Sequence, residues 1–133
     1  MLPSTRFGGH IVAGHVDGVG KIAKIAKDAR SVYIEVALPS ELMKYTADKG
    51  SITVDGISLT TNRIKPSENI VCLNIIPHTA EMTNIARHWT VGRAVNIEVD
   101  LVARYLERFI GAKTDTPQSR ITEELLIKSG FFK

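Results

Sequence analysis

Cysteine is almost missing from this sequence, since Cys72 is the only one among its 133 residues. A single cysteine cannot form an internal disulfide, and without a cysteine partner it makes a poor zinc site. Aromatic residues contribute only 6% of the chain, and no predicted strand face carries the row of rings on which nucleic-acid bases stack. We therefore expect no bound metal, and we disfavour a nucleic-acid-binding barrel.

Long apolar runs are also missing. No segment approaches the ~18 consecutive apolar residues of a membrane helix, and the amino terminus lacks the charged-then-apolar layout of a secretory signal. The net charge of +3 comes from Lys and Arg residues scattered along the chain and not gathered in one stripe. The sequence predicts a cytoplasmic protein with no membrane or nucleic-acid partner, and its length predicts a single core.

Strand patterns dominate the first hundred residues. Residues 31–38 alternate between two faces, as a half-buried strand does. Residues 51–62 hold Asp55 and Gly56 between two β-branched runs, and this dipeptide readily takes the positive φ angles of a tight hairpin turn. An apolar strand with both faces buried is predicted at 70–76, and alternation returns at 95–99.

Helical patterns are short until the end of the chain. We predict a helical turn after Pro39, a helix at 79–87, and an amphipathic helix at 101–110 with Asp100 at its N-cap. A further helix is predicted at 117–128. The succession indicates a mainly β protein, with a small closed barrel at 1–100 and a helical tail at 101–133.

The glycine-rich opening is not a phosphate loop, because it lacks a Gly-Lys-Ser/Thr ending and leads into a strand pattern. Its glycines predict strand bends or close backbone approaches. His10 and His15 are five residues apart, so a regular element would not point both at one metal. From the residues alone, a structural or surface role is favoured for both.

Polar side chains follow one face of the second hairpin strand, where Ser58, Thr60 and Asn62 alternate with apolar residues. Such a row suits a polyhydroxylated ligand, because each group can donate and accept hydrogen bonds. A solvent-exposed strand face explains the same pattern. The strand end at 76–79 likewise has two explanations, as free backbone N–H groups for a ligand or as a simple helix cap.

Four segments resemble the second half of riboflavin synthase in their order and spacing. They are GGHIVAGHVDG at 8–18, KGSITVDGISLT at 49–60, NIIPHT at 74–79 and VNIEVD at 95–100. The resemblance implies a six-stranded Greek-key closed barrel. It also implies a transferase reaction in which one molecule of 6,7-dimethyl-8-ribityllumazine gives a four-carbon unit to another. The products are riboflavin and 5-amino-6-ribitylamino-pyrimidinedione, and neither a metal nor an organic cofactor takes part.

The same resemblance implies a set of site residues. His15, Ser58 and Asp100 would be catalytic, with His15 aiding proton transfer and Asp100 acting as a supporting acid near the site or only as the helix cap. The residues that would contact the ligand are Gly14, His15, Val16, Lys49, Ser58, Leu59, Thr60, Ile75, Ile76, Pro77, His78, Thr79 and Ala80.

The resemblance covers one of two barrels. Riboflavin synthases carry two similar barrels in one chain, whereas this sequence shows no internal repeat and lacks their Met-Phe-Thr-Gly opening. We therefore expect a cut or split form whose partner is the first barrel, within a homo-oligomer that is a trimer in the intact enzyme. Turnover of the isolated half should be weak or absent. A non-catalytic lumazine or flavin carrier is the alternative, because relatives of this enzyme serve as antenna proteins.

Overall fold

The computed structural model describes residues 4, 6, 8–114 and 123–130. Six antiparallel strands form its centre, and their bounds are β1 Gly18–Asp28, β2 Ser31–Ala37, β3 Ser51–Val54, β4 Ile57–Lys65, β5 Ile70–Ile75 and β6 Ala94–Val99. They pair in the order β1-β2-β5-β4-β3-β6, and β6 pairs with β1 to close the barrel. This confirms the predicted closed six-stranded barrel.

The predicted hairpin joins β3 to β4. Asp55 and Gly56 both have positive φ, 49° and 81°, so the two-residue turn fixes the pairing of Val54 with Ile57. The Asp55 carboxylate also accepts hydrogen bonds from the Asn96 backbone N–H at 2.8 Å and from the Trp89 indole at 3.2 Å. The turn is thus attached to β6 as well as to its own strands.

Apolar side chains fill the inside of the barrel. Ile22, Ile34, Ile52, Leu73 and Ile97 are each completely shielded from solvent. Small barrels have only enough interior space for their own side chains. Any ligand of this chain must therefore bind on the outside of the barrel or at its ends.

A close backbone approach explains one of the glycines in β1. A Cβ atom on Gly20 would lie 2.8 Å from the Ala37 carbonyl oxygen and 3.0 Å from the Ile97 side chain. Both distances are shorter than ordinary contacts, so glycine lets β1 fit between β2 and β6.

The helices partly differ from the sequence predictions. The turn after Pro39 is a 3₁₀ helix, Ser40–Tyr45. The single helix predicted at 79–87 is wrong, because two short helices occur there, α1 Pro77–Met82 and α2 Ile85–His88. Thr83 interrupts them with an extended backbone, and its hydroxyl donates to the Thr79 carbonyl at 2.6 Å, a local bond that competes with helix continuation.

The tail begins with α3, Leu101–Thr114, and α4 spans Glu123–Lys128. The predicted start of the second tail helix, at 117–122, lies outside the described residues. Six apolar side chains of α3 are between 39% and 68% exposed. These six residues are Leu101, Val102, Tyr105, Leu106, Phe109 and Ile110. Among the described residues, no helix is both long and apolar enough to cross a membrane.

An ion pair on the outer face of β2 should make stability depend on pH. Lys65 Nζ lies 2.8 Å from the nearly buried Glu35 carboxylate, which also accepts a hydrogen bond from the Tyr33 hydroxyl. The hydrogen bonds from Lys65 and then Tyr33 lower the pKa of Glu35. Its contribution to stability is therefore present above the unfolded-state pKa and lost as the pH falls through the lower folded-state value.

We expect Glu35→Gln to reduce the free energy of unfolding by about 1–3 kcal/mol at pH 7, because the negative charge of the acceptor is removed and the partly buried Lys65 hydrogen bond becomes a weaker one to a neutral amide. The difference from wild type should shrink in acid, once the native carboxylate is protonated too. Urea unfolding at neutral and acid pH checks this. If wild type and Glu35→Gln differed in free energy of unfolding by the same amount at neutral and at acid pH, the charge of Glu35 would not contribute to stability.

Candidate ligand-binding site

The polar row on β4 faces outward, as predicted. Strand alternation places Leu59 and Thr61 toward the core, where both are buried, while Ser58 and Asn62 are half-buried and Thr60 is exposed. The hydroxyl and amide groups of the row therefore lie on the outer side of the barrel and not in its core.

Neighbouring strands add polar groups to this row. The hairpin register pairs Thr60 with Ser51 and Ser58 with Thr53. On the other side the pairing with β5 ends at Thr61 and Leu73, and if that register were continued, Asn74 would lie beside Thr60 and Ile76 beside Ser58. We call the outward surface formed by Ser51, Ser58, Thr60, Asn74 and Ile76 the β4 face. It combines hydrogen-bonding groups with one exposed apolar side chain, which suits a ligand with a polar chain and a flat ring.

A chain of hydrogen bonds borders the β4 face. The Lys49 ammonium donates to Asn62 Oδ1 at 2.8 Å, the Asn62 amide donates to Asn74 Oδ1 at 3.4 Å, and the Asn74 amide donates to Asp28 at 3.1 Å. Lys49 lies in the loop before β3 with a positive φ of 63°. The loop thus brings a positive charge to the end of the polar row.

Residues 8–17, which we call the strap, cross the outer surface of β4, β3 and β6. The His10 ring lies between Ser58 and Thr53, with Nδ1 2.7 Å from Ser58 Oγ and Nε2 3.1 Å from Thr53 Oγ1. The backbone N–H groups of Ala13 and Gly14 donate to the Glu98 carboxylate at 2.6 and 2.9 Å. The strap is therefore fixed to the barrel at two points.

The strap also connects the barrel with α3. The Asp17 carboxylate accepts a hydrogen bond from the Val99 N–H at 2.7 Å and pairs with the Arg104 guanidinium. A second ion pair joins Lys44 to Glu107 on α3 at 2.7 Å. These polar contacts attach α3 by one side and leave its apolar residues exposed.

Two small cavities flank the strap. One of about 290 Å³ is lined by His15, Asp17, Glu98 and Arg104 among others. The other, of about 260 Å³, is lined by Gly9, His10, Ile11, Asp100 and Val102. His15 and Asp100, both predicted to be catalytic, therefore lie on the same side of the barrel but in different cavities.

The structure places the predicted catalytic residues as follows. His15 is exposed on the strap, and none of the described residues forms a hydrogen bond or ion pair with its ring. Asp100 lies between β6 and α3, and its Oδ1 accepts the Val102 N–H at 2.9 Å, which is the N-cap role that the sequence suggested. The Ser58 hydroxyl is hydrogen-bonded to both the backbone N–H and the ring Nδ1 of His10.

The predicted ligand contacts divide by exposure. Seven of them are exposed, namely Gly14, Val16, Lys49, Thr60, Ile76, Pro77 and His78, and Thr79 is half-buried. Leu59, Ile75 and Ala80 have side chains that are 7%, 3% and 6% exposed. Those three can therefore meet a ligand on the outer surface chiefly through their backbone groups.

Sequence reasoning missed four residues of this region. Ser51 and Thr53 could have been found, because a two-residue turn at Asp55 and Gly56 already determines which residues oppose Thr60 and Ser58. Asn74 was placed in a strand with two buried faces, which is wrong at that position because Asn74 is exposed. The contact of His10 with Ser58 spans 48 positions of sequence and left no local signal.

A larger cavity lies elsewhere and is a weaker candidate. It has a volume of about 560 Å³ between the β1–β2 hairpin and α1, and its lining includes Ile25, Val32, Pro77 and Ala80. The lining is mainly apolar and lacks a row of hydroxyl groups. Polar groups there come from Lys27, Arg30, Ser31 and Glu81, which are not spaced along one strand as the hydroxyl groups of β4 are.

The closed barrel belongs to a known class of ligand-binding domain. Residues 13–100 match the family model described as the lumazine binding domain. The chain belongs to that family.

The most informative relatives are riboflavin synthases. The chain is 48% identical to the riboflavin synthase of Photobacterium phosphoreum over 98% of its own length and 59% of that protein. It is 41% identical to the Bacillus subtilis enzyme, covering 98% of this chain and 60% of that one. The chain thus spans a little over half the length of the curated relatives that it matches.

Solved structures agree with the fold. LumP complexed with flavin mononucleotide is 29% identical and superposes with a TM-score of 0.60 over 70% of this chain and 50% of that chain. LumP complexed with 6,7-dimethyl-8-(1'-D-ribityl) lumazine is 30% identical, with a TM-score of 0.59 over 68% of this chain and 49% of that chain.

Proposed function

We propose that this chain binds 6,7-dimethyl-8-ribityllumazine and riboflavin on the β4 face and supplies one half of a riboflavin synthase active site. The observation that carries the proposal is the outward row of Ser58 and Thr60 on β4, in a chain of the lumazine binding domain family. The exposed Ile76 follows the neighbouring strand β5. The hydroxyl groups would hydrogen-bond the ribityl chain, and Ile76 would pack against the ring. The resemblance assigns this half to the second barrel of the enzyme.

The reaction transfers four carbons between two identical molecules. One lumazine loses the unit and becomes the pyrimidinedione, and the other gains it and becomes riboflavin. Because the two substrates have the same oxidation state and the loss in one equals the gain in the other, no external oxidant or reductant is needed. The conjugated ring itself can stabilise the carbanion formed when a ring methyl group loses a proton.

The protein then has two tasks, which are to orient two rings and to move protons. For the first, the β4 face holds one substrate by its chain and leaves the outer side of its ring uncovered for a second. For the second, His15 is an exposed imidazole on the strap, and Asp100 is a carboxylate in the cavity on the other flank of the strap. We assign His15 to proton transfer, with Asp100 in support.

The second substrate requires another barrel. In our proposal the partner is the first barrel of the same enzyme, within a trimer assembled through the apolar side of α3. The exposure of six apolar side chains on that helix supports an intermolecular contact. A cytoplasmic location stays a prediction.

The carrier alternative is not favoured. The curated relatives at 41–48% identity are named riboflavin synthases, whereas LumP is 29–31% identical to this chain. Fluorescence enhancement without any product, even after the other barrel is added, would reverse this preference.

Thr60→Val tests the ligand face with little risk to folding, because Thr60 is exposed and valine has nearly the same shape. We expect the dissociation constant for 6,7-dimethyl-8-ribityllumazine to rise about 3- to 10-fold, as loss of one hydrogen bond predicts. Titration followed by lumazine fluorescence measures it. The matched control is Thr90→Val, an exposed threonine in the turn before β6, which should bind as wild type does. Equal affinity of all three proteins would contradict the proposed face.

A further inference from the structure

We propose that His10 is a positioning residue that determines how the Ser58 hydroxyl meets the ribityl chain. The inference rests on the proposed function of the β4 face. His10 belongs to the strap and comes 48 positions before Ser58 in the sequence. The contact between them is made by two separate groups of His10, its backbone N–H and its ring.

A count of hydrogen bonds shows why this matters. A serine hydroxyl can donate one hydrogen bond and accept two. The His10 backbone N–H, 3.1 Å away, donates to Ser58 Oγ and uses one acceptor position. Ring Nδ1, at 2.7 Å, uses a second position. Only one hydrogen-bonding position of Ser58 is left for a ligand.

Whether ring Nδ1 of His10 carries a proton decides whether the remaining position of the Ser58 hydroxyl is a donor or an acceptor. If Nδ1 carries no proton, it accepts the Ser58 hydroxyl hydrogen, and Ser58 can then only accept from a ribityl hydroxyl. If Nδ1 carries a proton, it donates to Ser58 Oγ, and Ser58 can then only donate. His10 therefore selects the direction of the hydrogen bond between the protein and the sugar-alcohol chain.

The ring is held from its other side as well. Nε2 lies 3.1 Å from Oγ1 of Thr53, whose residue is only 1% exposed. Thr53 and Ser58 are opposite each other on β3 and β4, so the ring spans two paired strands. With both ring nitrogens engaged, rotation of the ring would break two hydrogen bonds at once.

Gly9 makes this close approach possible. A Cβ atom at Gly9 would lie 2.2 Å from Ser58 Oγ and 2.7 Å from Ser58 Cβ. A change of rotamer would move only the oxygen, so the contact with Cβ would still force the strap outward. The sequence thus provides a glycine where the strap needs to reach the serine.

The test compares two ligands that share a ring. The first is 6,7-dimethyl-8-ribityllumazine, and the second is 6,7,8-trimethyllumazine, which carries a methyl group in place of the ribityl chain. Wild type, His10→Ala and His10→Asn are titrated with each, with fluorescence as the signal. Asparagine keeps a polar group near the position of Nδ1. His88→Ala, an exposed histidine on α2, is the matched control.

We expect His10→Ala to weaken binding of the ribityl ligand about 5- to 10-fold, the effect of about one hydrogen bond. Binding of the trimethyl ligand should change less than about 2-fold, and His10→Asn should recover most of the lost affinity. In a Ser58→Ala background, His10→Ala should add little, because the two residues act through one contact.

Three results would overturn the inference. They are unchanged ribityl affinity in His10→Ala, equal losses for both ligands, and full additivity with Ser58→Ala. Failure of the proposed function is a different outcome, because wild type itself would then bind neither lumazine.

Discussion

Adding a separately produced first barrel of riboflavin synthase to this chain should raise the rate of riboflavin formation at least about 100-fold over either part alone. The physical reason is that two lumazine rings must be held against each other. Positioning of two reactants corresponds to effective concentrations of about 10⁵–10⁸ M in favourable cases. A single barrel that holds one ring cannot position the second ring against it. The expected gain is far below that limit because the two parts are not covalently joined.

The measurement is riboflavin formed from 6,7-dimethyl-8-ribityllumazine by each part and by their mixture. Thr60→Val in the mixture should lower the rate, whereas Thr90→Val should not. Full activity of this chain alone, at the level of the mixture, would refute the half-site account. A mixture as inactive as its parts, although the chain binds lumazine, would favour the carrier alternative.

Replacing Ile97 by alanine should have the largest effect on stability. Ile97 has no solvent exposure, and it is paired with Gly18 on one side and Val54 on the other. The Ile97 side chain packs against Gly20, where an added Cβ would be only 3.0 Å from it. Gly20 has no side chain that could move into the space left by Ile97→Ala, so a cavity should remain. We therefore expect the free energy of unfolding to fall by about 2–5 kcal/mol.

Chemical denaturation measures this change. Ile97→Val, which removes one methylene, should cost about 0.5–1.5 kcal/mol. Ile127→Ala is the matched control, because Ile127 is 57% exposed on α4 and the same deletion there should change stability by less than about 0.5 kcal/mol. A loss at Ile97 no greater than at Ile127 would mean that the barrel interior is not the main source of stability.

Local patterns predicted the parts of the barrel that depend on neighbouring residues. The Asp55-Gly56 turn predicted its hairpin, and alternation on β4 predicted the outward face of Ser58 and Thr60. The cap at Asp100 also follows from its own neighbourhood. In each case, the physical cause lies within a few positions of the residue concerned.

The errors arose where distant or competing contacts decide the structure. Alternation alone could not show that Asn74 would reach solvent while Cys72, on the same strand, is buried. The division between α1 and α2 occurs at Thr83, whose hydroxyl donates to the Thr79 carbonyl within the segment predicted as one helix.

The strap is the part of the site that sequence reasoning could not assemble. Nothing in residues 8–17 indicates that His10 would meet Ser58 or that Ala13 would meet Glu98, since these contacts span 48 and 85 positions. The resemblance to riboflavin synthase supplied candidate residues from both regions. It did not supply the contact that we propose to control Ser58.

The most direct test of the ligand face is an NMR titration of the labelled chain with 6,7-dimethyl-8-ribityllumazine. Our account predicts that the amide signals of Ser58, Thr60 and Ile76 shift together and saturate at one ligand per chain. Shifts confined to Ile25, Val32 and Ala80, around the 560 Å³ cavity, would place the ligand on another part of the barrel and contradict the account.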